Sequence, residues 1–247
     1  MRRNILITGA SSGLGEEMAR QFAAKGHNLA LTARREDRLK ALQTELTTKH
    51  PQLKILVRTL DVNDHDAVFG TFRAIDAELT LDRIIVNAGI GKGAPLGTGR
   101  FDANLITAQT NFVAALAQAE AAMELFRARN AGHLVFISSV AAVRGTPNAM
   151  TTYSATKAGM TTLAEGLRLE QLGKPIQVST ILPGYIMSEL NPNAAKMPFV
   201  VQTVPGVRAI VAAIEAEKAT AYVPARPWVL LARVLKYAPL PLVKRMI

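Results

Sequence analysis

Ile5-Leu-Ile-Thr-Gly-Ala-Ser-Ser-Gly-Leu-Gly-Glu16 decides how this chain is read: a short apolar run breaks into glycines at 9, 13 and 15 and then enters a helical pattern. Glycines at such a junction allow a tight turn and a close backbone approach. The free N–H groups and dipole of the helix start that follows attract a pyrophosphate. The spacing differs from the commoner G-x-G-x-x-G, and a glycine-rich turn alone is also an ordinary way into a helix. Context strengthens the nucleotide reading. A second apolar run ends about 20 residues later, where a nucleotide ribose would lie. It closes as Leu31-Thr32-Ala33-Arg34-Arg35. An acid here would bond a ribose 2′-hydroxyl, whereas Arg34 and Arg35 can pair with a 2′-phosphate, so NADP(H) is expected over NAD.

Outward from this turn, short apolar runs alternate with longer amphipathic stretches, the pattern of repeated βαβ units. Strands are expected at 5–8, 28–32, 53–60, 83–86, 133–138, 176–182 and 221–223, and helices at 13–25, 36–48, 64–79, 101–129, 152–172 and 205–218. The expected fold is α/β: a single doubly wound (Rossmann) domain, with a mostly parallel seven-stranded sheet flanked by helices. The domain is placed at 1–223. A basic tail at 224–247 holds Arg226, Arg233, Lys236, Lys244 and Arg245 with no acid. That tail reads as a short amphipathic helix around 228–237, followed by an irregular end after Pro239 and Pro241.

Composition narrows the function. The 247 residues include 29 Lys+Arg against 19 Asp+Glu, a formal charge of +10, and no cysteine. The missing cysteines exclude disulfides, thiolate nucleophiles and Cys-ligated metals. The four histidines (His27, His50, His65 and His133) are scattered singly, so no metal site is expected. The apolar run at 5–7 is too short for a secretory signal, and no stretch suits a membrane-spanning helix, so a cytoplasmic location is expected. The cations are dispersed, aromatic residues make up only 5%, and no nucleic-acid-binding motif is present. No nucleic-acid partner is expected.

Tyr153-Ser-Ala-Thr-Lys157 places a phenol and an ammonium at i and i+4, facing one way if the segment is helical. A neighbouring cation would draw the phenol's pKa down towards the working range of an acid–base catalyst. Taken alone, such a pair is more often surface packing.

Together with Thr8-Gly-Ala-Ser-Ser-Gly-Leu-Gly15, Asp61-Val62, Asn87-Ala-Gly89, Asn111, Ser138-Ser139 and Pro183-Gly184, the pair appears in an order that resembles the short-chain dehydrogenase/reductase family from about residue 4 to 222. The resemblance implies hydride transfer between a nicotinamide and a carbonyl or alcohol carbon, with Tyr153 as the acid–base. It implies that Lys157 lowers the tyrosine pKa and holds ribose hydroxyls, that Ser139 bonds the substrate oxygen, and that Asn111 positions a water serving Lys157. Cofactor contacts are implied for Gly9, Ser11, Ser12, Gly13, Leu14, Gly15, Arg34, Arg35, Asp61, Val62, Asn87, Ala88, Gly89, Tyr153, Lys157, Pro183, Gly184, Ile186 and Ser188.

Three positions depart from the family pattern. Ser188 stands where Thr is usual, and Val86 where Asn is frequent. Ser139 and Tyr153 are one residue farther apart than usual, which alters the pocket mouth at 144–152 and keeps Ser138 as an alternative to Ser139.

The irregular stretch after Gly184, about 185–204, occupies the place of the family's substrate lid. Met187, Leu190, Met197 and Phe199, with Met150 and Leu96, suggest a pocket for a hydrophobic carbonyl compound; packing of the lid on the body is an equal alternative. The basic tail can cover its own domain or a subunit, or make weak membrane-surface contact. The Ala- and Gly-rich helices at 101–129 and 152–172 lead to the expectation of a homodimer or homotetramer. The expected activity is NADPH-dependent carbonyl reduction of a small molecule. Its rival is a non-catalytic NADP-binding sensor or scaffold acting through the tail.

Overall fold

The computed structural model describes residues 2–91, 93–188 and 197–246. Leu190, named above among the lid residues, lies outside the described residues.

Seven strands alternate with helices in the order β1 (Asn4–Thr8), α1 (Gly13–Ala24), β2 (Asn28–Ala33), α2 (Glu36–Lys49), β3 (Ile55–Thr59), α3 (His65–Glu78) and β4 (Arg83–Val86). The second half runs α4 (Phe101–Ala108), a π-helical turn (Gln109–Val113), α5 (Ala114–Arg129), β5 (Gly132–Ile137), α6 (Thr151–Glu170), β6 (Ile176–Pro183), α7 (Thr203–Glu215) and β7 (Thr220–Val223). The sheet order is β3-β2-β1-β4-β5-β6-β7, and every neighbouring pair is parallel. This is a doubly wound fold.

The strands read as near-continuous apolar runs because both faces of the sheet are covered. Ile5 and Ile7 pack with Phe22 of α1, Leu39 of α2 and Ile210 of α7 on one face. Leu6 and Ile84 pack with Phe72 of α3, Ala115 of α5 and Met160 of α6 on the other. Fully burying a residue such as Ile5 or Leu6 contributes about 1.5–3 kcal/mol.

Helix boundaries follow local chemistry. Asp64 caps α3 by accepting from the Ala67 N–H at 3.0 Å. Asn130 ends α5 in the left-handed conformation, φ 50°.

Strand order reverses between β1 and β4, and their carboxyl ends part to open a crevice. β1 delivers the glycine loop there, and β4 delivers Asn87-Ala-Gly89. Val86 is a fully buried strand residue, as its apolar character indicates.

Two expectations need correction. The stretch 101–129 is not one regular helix, because the π turn interrupts it. The tail does not end irregularly: α8 (Ala225–Tyr237) is followed by α9 (Leu240–Met246). Proline in the first turn of a helix costs no hydrogen bond, so Pro241 starts α9 rather than breaking it, and the Pro239 carbonyl accepts from the N–H groups of Leu242 and Val243.

Candidate active site

The glycine loop is locked from beneath by β4. Thr8 Oγ accepts from the N–H groups of Asn87 at 3.1 Å and Ala88 at 3.2 Å, while Asn87 Nδ2 donates to the Thr8 and Gly9 carbonyls at 2.8 and 3.3 Å. Gly9 has φ +65° and Gly13 φ +57°, backbone that L side chains rarely adopt. At Gly15 a Cβ would collide with the Gly9 carbonyl and Asn87 Nδ2, so glycine is what lets α1 start directly against the loop. Leu14 packs against the core below it.

Ser12 caps α1 without any side-chain hydrogen bond to the helix, which leaves the first-turn N–H groups of α1 available to an anion. Arg35 bends back over this opening. Its Nε donates to Ser11 Oγ at 3.2 Å and its Nη2 to Ser12 Oγ at 2.6 Å. Arg34 lies exposed at the end of β2. Uncapped N–H groups, an open glycine cradle and two guanidinium groups at the ribose end fit a nucleotide carrying an extra phosphate.

Asp61 is exposed beyond β3, its carboxylate accepting from the Asn63 N–H at 3.0 Å, with Val62 buried behind it. From β6, Pro183 is buried and Gly184 follows it, held by its N–H to the Val223 carbonyl at 2.9 Å. Ile186 is buried on Gly206 of α7 and bridges to Val201. Ser188 comes within van der Waals reach of the open side of Gly13, so the 185–188 segment closes over the loop.

The four residues expected to be catalytic lie on α6, on the π turn and just after β5. Helix α6 carries Tyr153 and Lys157 one turn apart, with Lys157 Nζ 5.9 Å from the tyrosine ring centre. Lys157 is buried, and its Nζ donates to the Ile137 carbonyl at the end of β5, 2.9 Å away. The π turn presents Asn111, fully buried, whose side chain pairs with both backbone groups of Ile90: Oδ1 accepts at 2.8 Å and Nδ2 donates at 2.9 Å. Between them lies Gly89, where a Cβ would meet Asn111 Oδ1 at 3.1 Å and Lys157 Nζ at 3.6 Å.

The two serines separate cleanly. Ser138 Oγ is buried, donates to the Lys157 carbonyl at 3.0 Å and shares a hydrogen bond with Thr161 Oγ at 2.9 Å. Ser139 is only half-buried, and its Oγ accepts from the Ala141 N–H at 3.1 Å. Within the 139–153 connection Asn148 takes a left-handed φ of 61° at the start of a short 3₁₀ turn.

Electrostatics depart from the sequence expectation. Burial pushes the Tyr153 phenol above its ordinary value, with the neighbouring Ser139 hydroxyl pulling the other way, and burial brings Lys157 down from 10.5 to about 8. The net effect on Tyr153 is therefore upward: the buried ammonium is itself destabilised and spends its hydrogen bond on a carbonyl.

Several site-building residues gave no sequence signal. Asn104 is a single asparagine inside α4, yet its Oδ1 accepts from Ala94 N–H at 3.1 Å and Thr152 Oγ at 2.8 Å, tying the loop after β4 to the start of α6. Trp228, on the tail helix, lies on Gly184 so closely that a Cβ there would strike the indole. Its ring makes edge contacts with Tyr185 at 5.2 Å and Phe199 at 6.3 Å. Arg144, from the mouth loop, donates to the Lys236 and Ala238 carbonyls, both at 3.0 Å. A sequence reading that separates domain from tail has no means to pair these residues.

A parallel doubly wound sheet, with a glycine cradle on one side of its switch point and Ser139, Tyr153 and Lys157 on the other, defines a nucleotide-dependent oxidoreductase class. The family model for short chain dehydrogenases matches residues 3–198, and the chain belongs to that family. An uncharacterized oxidoreductase of Mycobacterium tuberculosis is 51% identical over 99% of this chain and 97% of its own length. Among solved structures, a short-chain dehydrogenase from Sphingobium yanoikuyae in complex with NADPH is 26% identical, with a TM-score of 0.83 over 98% of this chain and 95% of that one. A bulky-bulky ketone specific alcohol dehydrogenase from Comamonas testosteroni is 28% identical, with a TM-score of 0.79 over 94% and 91%.

Proposed function

We propose that the protein is an NADPH-dependent reductase of a bulky hydrophobic ketone or aldehyde, working in the cytoplasm. The observation that carries the reading is the buried Lys157, its Nζ 5.9 Å from the Tyr153 ring centre and set beside Gly89 and the buried Asn111. The NADPH complex of the Sphingobium relative supports the cofactor, and the bulky-ketone specificity of the Comamonas relative supports the substrate class.

When bound, NADPH supplies the hydride. The first-turn N–H groups of α1 would hold its pyrophosphate, and Arg34 and Arg35 its extra phosphate. Ser139 Oγ orients the substrate oxygen towards Tyr153. The tyrosine hydroxyl gives its proton to that oxygen, and Lys157 stabilises the phenolate left behind. Asn111, paired to the Ile90 backbone, fixes the floor under Lys157. The aromatic cluster of Tyr185, Phe199 and Trp228 keeps water from the mouth.

Exposed Leu105, Ile106, Val113, Leu116, Leu169 and Leu172 on α4, the π turn, α5, α6 and the turn that follows support assembly as a homodimer or homotetramer.

Tyr153→Phe tests the function. NADPH affinity, read by fluorescence titration, should stay within about twofold, while oxidation of NADPH against a panel of hydrophobic ketones should fall by at least about a thousandfold. Turnover unchanged by the substitution refutes the mechanism. Binding with no turnover by the parent protein on any ketone favours the sensor reading.

A further inference from the structure

Helices α8 and α9 carry five cations and no acid, and their outer surface is not merely polar. Leu230, Val234, Tyr237, Leu240 and Leu242 are all exposed. At 100° per residue, Leu230, Val234 and Tyr237 fall within about 60° of one another on the side of α8 opposite Trp228 and Ala232, while Arg233 and Lys236 line one edge of that strip. The inner side is anchored, with Trp228 and Ala232 buried against the body. An apolar strip with long cationic side chains along one edge suits the boundary between lipid headgroups and acyl chains, where the cations reach outward to phosphates.

We propose that this face docks on an anionic lipid bilayer and holds the substrate mouth against it. Charge complementarity selects that occupant. A second copy would bring the same five cations against these five, and repulsion opposes a symmetric pairing. Nucleic acid would leave the leucines unpaired. Among the described residues no helix is long and apolar enough to cross a membrane, so the contact is at the surface.

The mouth is coupled to the tail at two points, the Trp228 contacts with Tyr185 and Phe199 and the Arg144 hydrogen bonds to the end of α8. Phe199 is itself exposed beside Trp228. A hydrophobic ketone dissolved in the bilayer would then meet the mouth without crossing water. This last step rests on the reductase reading; the docking does not.

The test is co-sedimentation of the full chain with phosphatidylcholine vesicles, either pure or with about one lipid in three replaced by phosphatidylserine. The expected result is pelleting with the anionic vesicles only, weakened at about 1 M salt. Arg233→Glu combined with Lys244→Glu should lower the partition at least about tenfold, and Leu230→Ser with Tyr237→Ser should also lower it. NADPH affinity unchanged in both variants shows that they are folded. Equal pelleting with neutral vesicles, no pelleting at all, or variants that only dissociate an oligomer each overturn the docking. If docking holds and no ketone oxidises NADPH in either phase, it is the reductase reading that fails.

Discussion

Replacing Lys157 with methionine should stabilise the protein at neutral pH while abolishing turnover. The side chain is buried, and burial lowers its pKa from 10.5 to about 8. At about 1.4 kcal/mol for each factor of ten in proton affinity, the charged lysine penalises the folded state by about 3 kcal/mol. Losing the bond from Nζ to the Ile137 carbonyl costs about 1.5 kcal/mol, which leaves a net gain of about 1 to 2 kcal/mol for an apolar side chain of similar length. The pH dependence follows from the direction of the shift. Between about 8 and 10.5 the unfolded chain binds the proton and the folded one does not, so the parent's stability rises with pH through that window. The penalty is present in full below the window and gone above it. Urea denaturation without added nucleotide, at about pH 7 and about pH 10, should show the methionine variant ahead at the lower pH and the gap closing or reversing at the higher. A variant less stable than the parent at neutral pH, or a difference that ignores pH, refutes the argument.

Arg34→Ala with Arg35→Ala should weaken NADPH at least about tenfold and leave NADH nearly unchanged, measured by fluorescence titration of each nucleotide; equal losses would remove the arginines from phosphate recognition. Ser139→Ala should lower kcat about a hundredfold with KM little changed. Ser138→Ala should instead lower thermal stability, by about 1 kcal/mol, and spare kcat, because its hydroxyl serves the Lys157 carbonyl and Thr161. Gly15→Ala, whose Cβ would meet the Gly9 carbonyl, should cost nucleotide affinity and stability together, read by titration and melting.

The sheet was legible because most of its strands are buried apolar runs bounded at one end or the other by Gly, Pro or Asn; 83–86 was placed to the residue. The strand expected at 53–60 is shorter in the structure, Ile55–Thr59, because apolar content does not stop where ladder hydrogen bonds stop. The glycine loop and the Tyr153–Lys157 pair were visible because both need particular residues at fixed spacing. The π turn was not: a reading at 3.6 residues per turn passes over one extra residue. The final helix was hidden by prolines that the first turn tolerates. Asn104, Trp228 and Arg144 contribute through contacts distant in sequence, for which local pattern carries no information. The direction of the Tyr153 shift depended on burial, which spacing does not report.

The π turn also constrains how this chain can vary. On its two sides α4 and α5 point their buried residues, Thr107 and then Ala114, Ala115 and Gln118, at the same body. Removing one residue between 109 and 113 would restore regular hydrogen bonding yet swing every later side chain of α5 by about 100° around the helix axis. Ala122 and Phe126 would leave the core, and charged neighbours would enter it. The irregularity is thus a phase offset that the core has adopted as its reference. A deletion that smoothed the helix would unfold the packing before it reached the chemistry, so the bulge that places Asn111 is protected by hydrophobic residues that never touch the site.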